Sequence, residues 1–280
     1  MNTLALFDAV CLKASRHTTY SYSTSFSLGI RSLHKRFHDP IHAIYGFVRF
    51  ADEIVDTFHG HDKVMLLSRF TEDTHRAISE GISINPILHS FQLVVNKYRI
   101  ERELYDTFLA SMVMDLSETR HDQRSYETYI LGSAEVVGLM CLRVFCEGDE
   151  VLYQRLKPAA MKLGAAFQKV NFLRDLKDDH SNLGRTYFPD VDAEHLTASD
   201  KTRIEHDVQA DFDAALMGIR ELPKGARFGV YIAYVYYLNL FRKIKALPCE
   251  RILHERVRVR NRRKLALLTT SYLRHSFGML

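Results

Sequence analysis

The chain has 280 residues, with 38 Lys and Arg against 34 Asp and Glu, 46% hydrophobic residues, 13 Gly and 6 Pro. These values lie near globular averages and exclude disordered, collagen-like and low-complexity chains. A net charge of +4 leaves no footprint of a dedicated nucleic-acid binder, although it suits anionic substrates.

The opening segment MNTLALFDAV lacks a basic flank and Asp8 interrupts its apolar run, so no export signal is expected. Apolar residues then recur at three and four, which predicts helices over 3–16 and 22–33. Asp39-Pro40 reads as an N-cap and N1 pair before a helix over 41–58. A helix follows over 63–80 with Gly81 at C′, and Asn85-Pro86 opens another over 87–98. Further helices are predicted over 101–118, 126–147 (closed by Gly148), 150–157, 159–179, 199–221, 225–246 and 261–277. Residues 180–196 read as the one long irregular segment. Strand signals are nearly absent, connections are short and no repeat or linker is visible, so a single all-α domain spanning 1–280 is expected. The longest uncharged run, Phe228–Phe241, has fourteen residues and is too short to span a bilayer. Cys11, Cys141, Cys146 and Cys249 form no CxxC pair, which fits a reducing compartment and a cytoplasmic location.

Three pairs of aspartates stand four apart, where roughly one such pair is expected by chance: Asp52/Asp56, Asp175/Asp179 and Asp207/Asp211. Residues four apart share a helix face. Asp207/Asp211, in IEHDVQADFDA, reads as an ordinary solvated face. The other two pairs lie on otherwise apolar helices, beside Arg49 in one case and Gln168 and Asn171 in the other. Magnesium takes oxygen ligands, commonly one or two carboxylates completed by water and substrate phosphate, and two facing stripes of this kind suit it. Arg49, three residues before Asp52, could reach a phosphate with its fork of donors or simply pair with the aspartate. No HExxH, zinc spacing, P-loop or GxSxG is present, so metalloprotease, NTPase and serine-hydrolase chemistries fall away. The basic run Arg256–Lys264 reads first as a solvated face, with phosphate or membrane-surface contact as alternatives.

These residues resemble the phytoene and squalene synthases, a family of head-to-head isoprenoid synthases, along nearly the whole chain. Tyr22–Ser27 (YSTSFS) is similar to the family's N-terminal segment, Tyr45–Asp56 to its first aspartate motif and Asn171–Pro189 to its second. Met114–Leu116 and Tyr129–Gly138 match its central segments, and Tyr237 and Arg256 fall where it places a tyrosine and a diphosphate-binding arginine. The resemblance implies an all-α isoprenoid-synthase bundle around a central cavity. It implies Mg²⁺, or Mn²⁺, held by Asp52, Asp56, Asn171, Asp175 and Asp179. Tyr45, Gln168, Asn171 and Tyr237 would neighbour the reacting centre. Substrate contacts would come from Ser23, Ser25, Phe26, Arg49, Tyr129, Ala134, Val137, Gly138, Arg174 and Arg256, with Arg174 about 100° off the aspartate stripe. Glu53 departs from the Asp of many relatives without touching the ligand set. Because all four aspartates persist, an active enzyme is expected.

The resemblance is greatest to bacterial phytoene synthases, which condense two geranylgeranyl diphosphates through a cyclopropylcarbinyl diphosphate and need no NADPH. Squalene or dehydrosqualene synthesis from farnesyl diphosphate is the alternative within the family, and a basic membrane-surface or nucleic-acid module built on a bundle is the alternative outside it. A forty-carbon hydrocarbon product implies peripheral contact with a membrane surface, with Arg260, Arg262 and Arg263 as its cations, and a place beside downstream carotenoid enzymes.

Overall fold

The computed structural model describes residues 3–191, 196–254 and 257, with the backbone alone for 178–183 and 254. The described residues are helical throughout, joined by short turns and one isolated bridge. In chain order the helices are α1 (Thr3–Tyr22), α2 (Thr24–Arg31), α3 (His38–Asp56), α4 (Lys63–Glu80), α5 (Pro86–Tyr98), α6 (Arg102–Ser117), α7 (Gln123–Ile130), α8 (Val136–Cys146), α9 (Glu150–Leu183), α10 (Ala198–Glu221), α11 (Lys224–Lys245) and α12 (Cys249–His254). The expected helix over 261–277 and the basic run from 258 to 264 lie outside the described residues, as does Arg256.

Several boundaries follow from local chemistry. Asn85 Oδ1 accepts from the amides of Ile87 and Leu88, with Pro86 in the first turn of α5. Gly81, at φ +69°, ends α4 in the left-handed region that a side chain would resist. Asp39 does not cap α3. That helix starts two residues earlier, at His38 after a 3₁₀ turn over Lys35–Phe37, and Asp39 instead pairs with Arg16 at 2.6 Å. Pro40 still sits in the first turn, where its missing N–H costs nothing.

Pro158 does not end a helix either: the two helices predicted on either side of it form one helix of 34 residues, α9. An interior proline costs about 3 kcal/mol, and tertiary packing outweighs it here. Helices α8 and α10 both lie along α9, and Leu156, Val170, Leu173 and Leu176 are buried against the core. The predicted helix over 126–147 is really α7 and α8 joined by a π turn at Leu131–Glu135, a feature that often accompanies functional sites. Gln123–Cys146 is long and apolar enough to cross a bilayer, but most of it is buried inside the bundle. A count of uncharged runs overlooks it because Glu127 and Glu135 interrupt the segment.

Helix α3 is central and has two faces. Phe47, Ala51 and Val55 point into the core, where Phe47 stacks on Phe91 at 3.9 Å and meets Phe108 at 5.4 Å. Burying each such ring contributes about 1.5–3 kcal/mol. The opposite face, carrying Tyr45, Arg49, Asp52 and Asp56, is left for a cavity.

Candidate active site

That face of α3 and one face of α9 line a cavity of about 730 Å³, closed by parts of α2, α8, the π turn and α11. The lining residues of α9 recur at helical spacing: Leu156, Ala160, Gly164, Phe167, Asn171 and Asp175. On both helices the N-terminal half supplies apolar side chains and the C-terminal half polar ones. The cavity therefore has a polar end, with Asp52, Asp56, Asp115 and Asp175, and an apolar end, with Leu33, Phe145, Leu156 and Leu222.

Of the residues expected at the site, Ser23, Phe26, Tyr45, Arg49, Asp52, Asp56, Tyr129, Ala134, Val137, Gly138, Gln168, Asn171, Arg174, Asp175 and Tyr237 all line this cavity. Ser25 does not. The side chain of Asp179 and all of Arg256 lie outside the described residues. Arg174 reaches the wall although it is off the aspartate stripe, because the cavity is wider than one stripe; its Nε donates to Asp175 Oδ1 at 2.9 Å and its Nη2 to Oδ2. Ser23 caps α2, its Oγ accepting from Phe26 N at 3.1 Å.

The residual exposure of Asp52 opens onto the cavity, and its carboxyl is pushed up to about 8 by burial and by the Asp56 charge, against the pull of Arg49. Arg49 pairs with Glu53 rather than with Asp52, and lies 4.4 Å over the Tyr22 ring. The residue that departs from the family pattern thus supplies the partner of the arginine. Among the described residues Arg49 Nε is buried without a partner, as is Asn171 Oδ1, whose amide Nδ2 donates to Gln168 Oε1 at 3.4 Å. Burial pushes the Tyr45 phenol up to about 12, so it remains a donor. Phe26 packs against Tyr45 and Tyr237, at 5.8 and 6.0 Å, and Phe167 stacks on Tyr237 at 4.0 Å.

Sequence reasoning missed Asp115, Arg185 and Tyr187. They fall inside matched segments, but spacing gave no sign that the chain after α9 returns to the end of α6. Tyr129 Oη donates to Asp115 Oδ2 at 2.6 Å and Tyr187 Oη to Oδ1 at 3.1 Å. Burial raises the Asp115 carboxyl to about 6 despite the Arg185 guanidinium beside it.

Asp211 corrects the expectation of a solvated face, whereas Asp207 remains exposed as expected. Asp211 is buried and pairs with Lys169 at 2.7 Å and Lys162 at 2.9 Å, while Asp207 meets Lys169 at 2.5 Å. Asp211 therefore belongs to the interface of α9 and α10, with Asp207 at its solvent edge.

A divalent cation fits the polar end. Among the described residues Asn171 Oδ1 is a buried acceptor with no donor, and Asp52 is a half-buried carboxyl at the cavity wall with no ion-pair partner. No three His, Cys, Asp or Glu side chains among the described residues converge to hold a metal alone. Substrate oxygens and water would complete such a shell, as magnesium favours.

An all-helical bundle with carboxylates on two facing helices above a deep apolar cavity defines a class of isoprenoid synthase fold. The squalene/phytoene synthase family pattern matches residues 20–263, and the chain belongs to that family, one of head-to-head prenyltransferases. The chain is 27% identical to phytoene synthase 1 of Solanum lycopersicum over 80% of its own length and 59% of the relative's, so it spans about three fifths of that protein. It is 29% identical to the presqualene diphosphate synthase of Sinorhizobium fredii, over 68% of the chain and 67% of the relative. In fold it is similar to a dehydrosqualene synthase (TM-score 0.82, 20% identity, 96% and 98% covered) and to a squalene synthase of Alicyclobacillus acidocaldarius (0.73, 19%, 84% and 93%).

Proposed function

We propose that this chain is a phytoene synthase, joining two geranylgeranyl diphosphates head to head with release of diphosphate. The observation that carries a condensing activity is the placement of the α3 and α9 carboxylates at the polar end of one apolar cavity. The phytoene branch is supported by relatives of that name aligned over as much as 94% of the chain. The presqualene diphosphate synthases, aligned over 62–68%, favour a second reading with a fifteen-carbon substrate.

Asp52, Asp56, Asn171, Asp175 and Asp179 would hold magnesium or manganese, which when bound supplies neutralising charge for a departing diphosphate. The Nε of Arg49 is a donor waiting for an anion, and Ser23 and Arg174 stand on the same wall. The phenols of Tyr45 and Tyr237 stay protonated and can donate without becoming charged. The faces of Phe26 and Phe167 stabilise positive charge on carbon, and the apolar wall keeps water from it. Because this product forms by proton loss, no nicotinamide is required. The hydrocarbon must leave into lipid, so we read the protein as peripherally membrane-associated.

The test is incubation with Mg²⁺ and either geranylgeranyl or farnesyl diphosphate, with and without NADPH, followed by mass measurement of the extracted hydrocarbon and of any condensed diphosphate. A forty-carbon product without NADPH is expected. A thirty-carbon product alone would move the chain to the second reading, and no product from either would refute the condensing activity.

A further inference from the structure

Arg185 sits between two acids of the polar end, on backbone fixed from both sides. Gly184, at φ +65°, turns the chain out of α9. Thr186 N then donates to Thr119 O at 2.8 Å, and the Tyr187 ring stacks on Phe172 at 4.1 Å with 8° between planes. The Arg185 side chain is only 9% exposed. Its Nη2 donates to the Asp115 backbone carbonyl at 2.8 Å, and its Nη1 lies 3.1 Å from Asp56 Oδ1 and 3.6 Å from Asp115 Oδ1.

Asp56 needs such a partner. It is the last residue of α3, its side chain is 42% exposed, and Arg185 is the only ion-pair partner it has among the described residues. A carboxylate at a helix end, open to solvent, samples several rotamers and loses that freedom when it binds a cation. The guanidinium engages Oδ1 of a carboxylate that lines the cavity, and Oδ2 takes no part in that contact. Its own charge is balanced by Asp115, which the phenols of Tyr129 and Tyr187 hold in place.

We propose that Arg185 is a positioning residue that fixes the Asp56 carboxylate for cation binding, with Asp115 holding Arg185 in turn. The inference rests on the reading of the polar end as a cation site. Partners that orient a ligating carboxylate are commonly worth ten- to a hundredfold in metal affinity. The sign separates this role from simple electrostatics: deleting a positive charge beside a cation site should tighten binding through space, whereas deleting a positioning group should weaken it.

The experiment is Mn²⁺ titration of the full chain, followed by electron paramagnetic resonance of free Mn²⁺ in the presence of inorganic diphosphate, with circular dichroism as the check on folding. Arg185→Gln is expected to weaken Mn²⁺ binding about ten- to a hundredfold. Arg185→Lys should fall between it and wild type, because one ammonium cannot span both the Asp115 carbonyl and Asp56. Wild-type or tighter affinity in Arg185→Gln overturns the proposal, and should that variant fail to fold, wild-type affinity in Arg185→Lys overturns it equally. If wild type itself binds no Mn²⁺, the cation-site reading fails and takes this inference with it.

Discussion

Asp52 and Asp175 present the same side chain at the same cavity, yet their replacement should read differently. Asp52 has no ion-pair partner among the described residues and is held uncomfortably, its carboxyl raised to about 8. Asp52→Asn should lower turnover roughly a hundredfold or more while leaving the melting temperature unchanged or higher. Asp175→Asn strips Arg174 of a two-bond partner in a largely buried place, so turnover and melting temperature should both fall. Equal melting temperatures for the two would contradict this account. His42 gives a pH dependence. It is buried, its Nδ1 lies 2.9 Å from Thr19 Oγ1, and burial, helped by the Arg16 charge, holds its pKa near 4. Below its ordinary value near 6.5 the unfolded chain takes up a proton that the folded protein refuses, so stability is complete above that value and declines as the pH falls toward 4. Melting temperatures followed between about pH 7 and about pH 4 should drop more steeply in wild type than in His42→Gln.

At the scale of elements, the α9–α10 interface is held by an ionic cluster. Asp211→Asn would take from Lys169 its buried partner and leave it Asp207 at the solvent edge, and a loss of about 1–3 kcal/mol in denaturant stability is expected. Turnover measured well below the unfolding transition should change little, since none of the three lines the cavity. Helix α9 also passes very close to the π turn: a Cβ on Gly164 would come 2.5 Å from the carbonyl oxygen of Ala134. Gly164→Ala should cost on the order of 1–3 kcal/mol, read as a lower melting temperature, because backbone cannot step aside as a side chain can. Where the sequence revealed an element, a side chain acted on its own neighbours, as at Asn85-Pro86 and Gly81. It misled where a distant partner intervened. Asp39 was drawn away by Arg16, the break at Pro158 was overridden by the helices beside it, and the acids of α10 found lysines that no spacing within α10 could reveal. The π turn had no local signature at all.

For the molecule as a whole, the same division explains which parts of the site could be read. The stripes of α3 and α9 are periodic and were visible; the return of the chain after Gly184, which delivers Arg185 and Tyr187 to Asp115, depends on how the bundle closes. One further consequence concerns α9, which at 1.5 Å per residue over 34 residues is a rod of about 50 Å. Leu156, Ala159 and Ala160 of this rod form part of the apolar end, while Gln168, Asn171 and Asp175 stand at the polar end. Two heritable traits, how long a chain the protein accepts and how well it does chemistry, are therefore mechanically coupled. A change of volume at Ala159 that displaces the rod shifts the acids too, whereas a change at Ile30 on α2, at Leu33 just beyond it, or at Phe145 on α8, reshapes the far wall and spares them. Lineages that alter substrate length should accumulate replacements on those other walls first, and variants selected in the laboratory for longer substrates should show the same bias when sequenced.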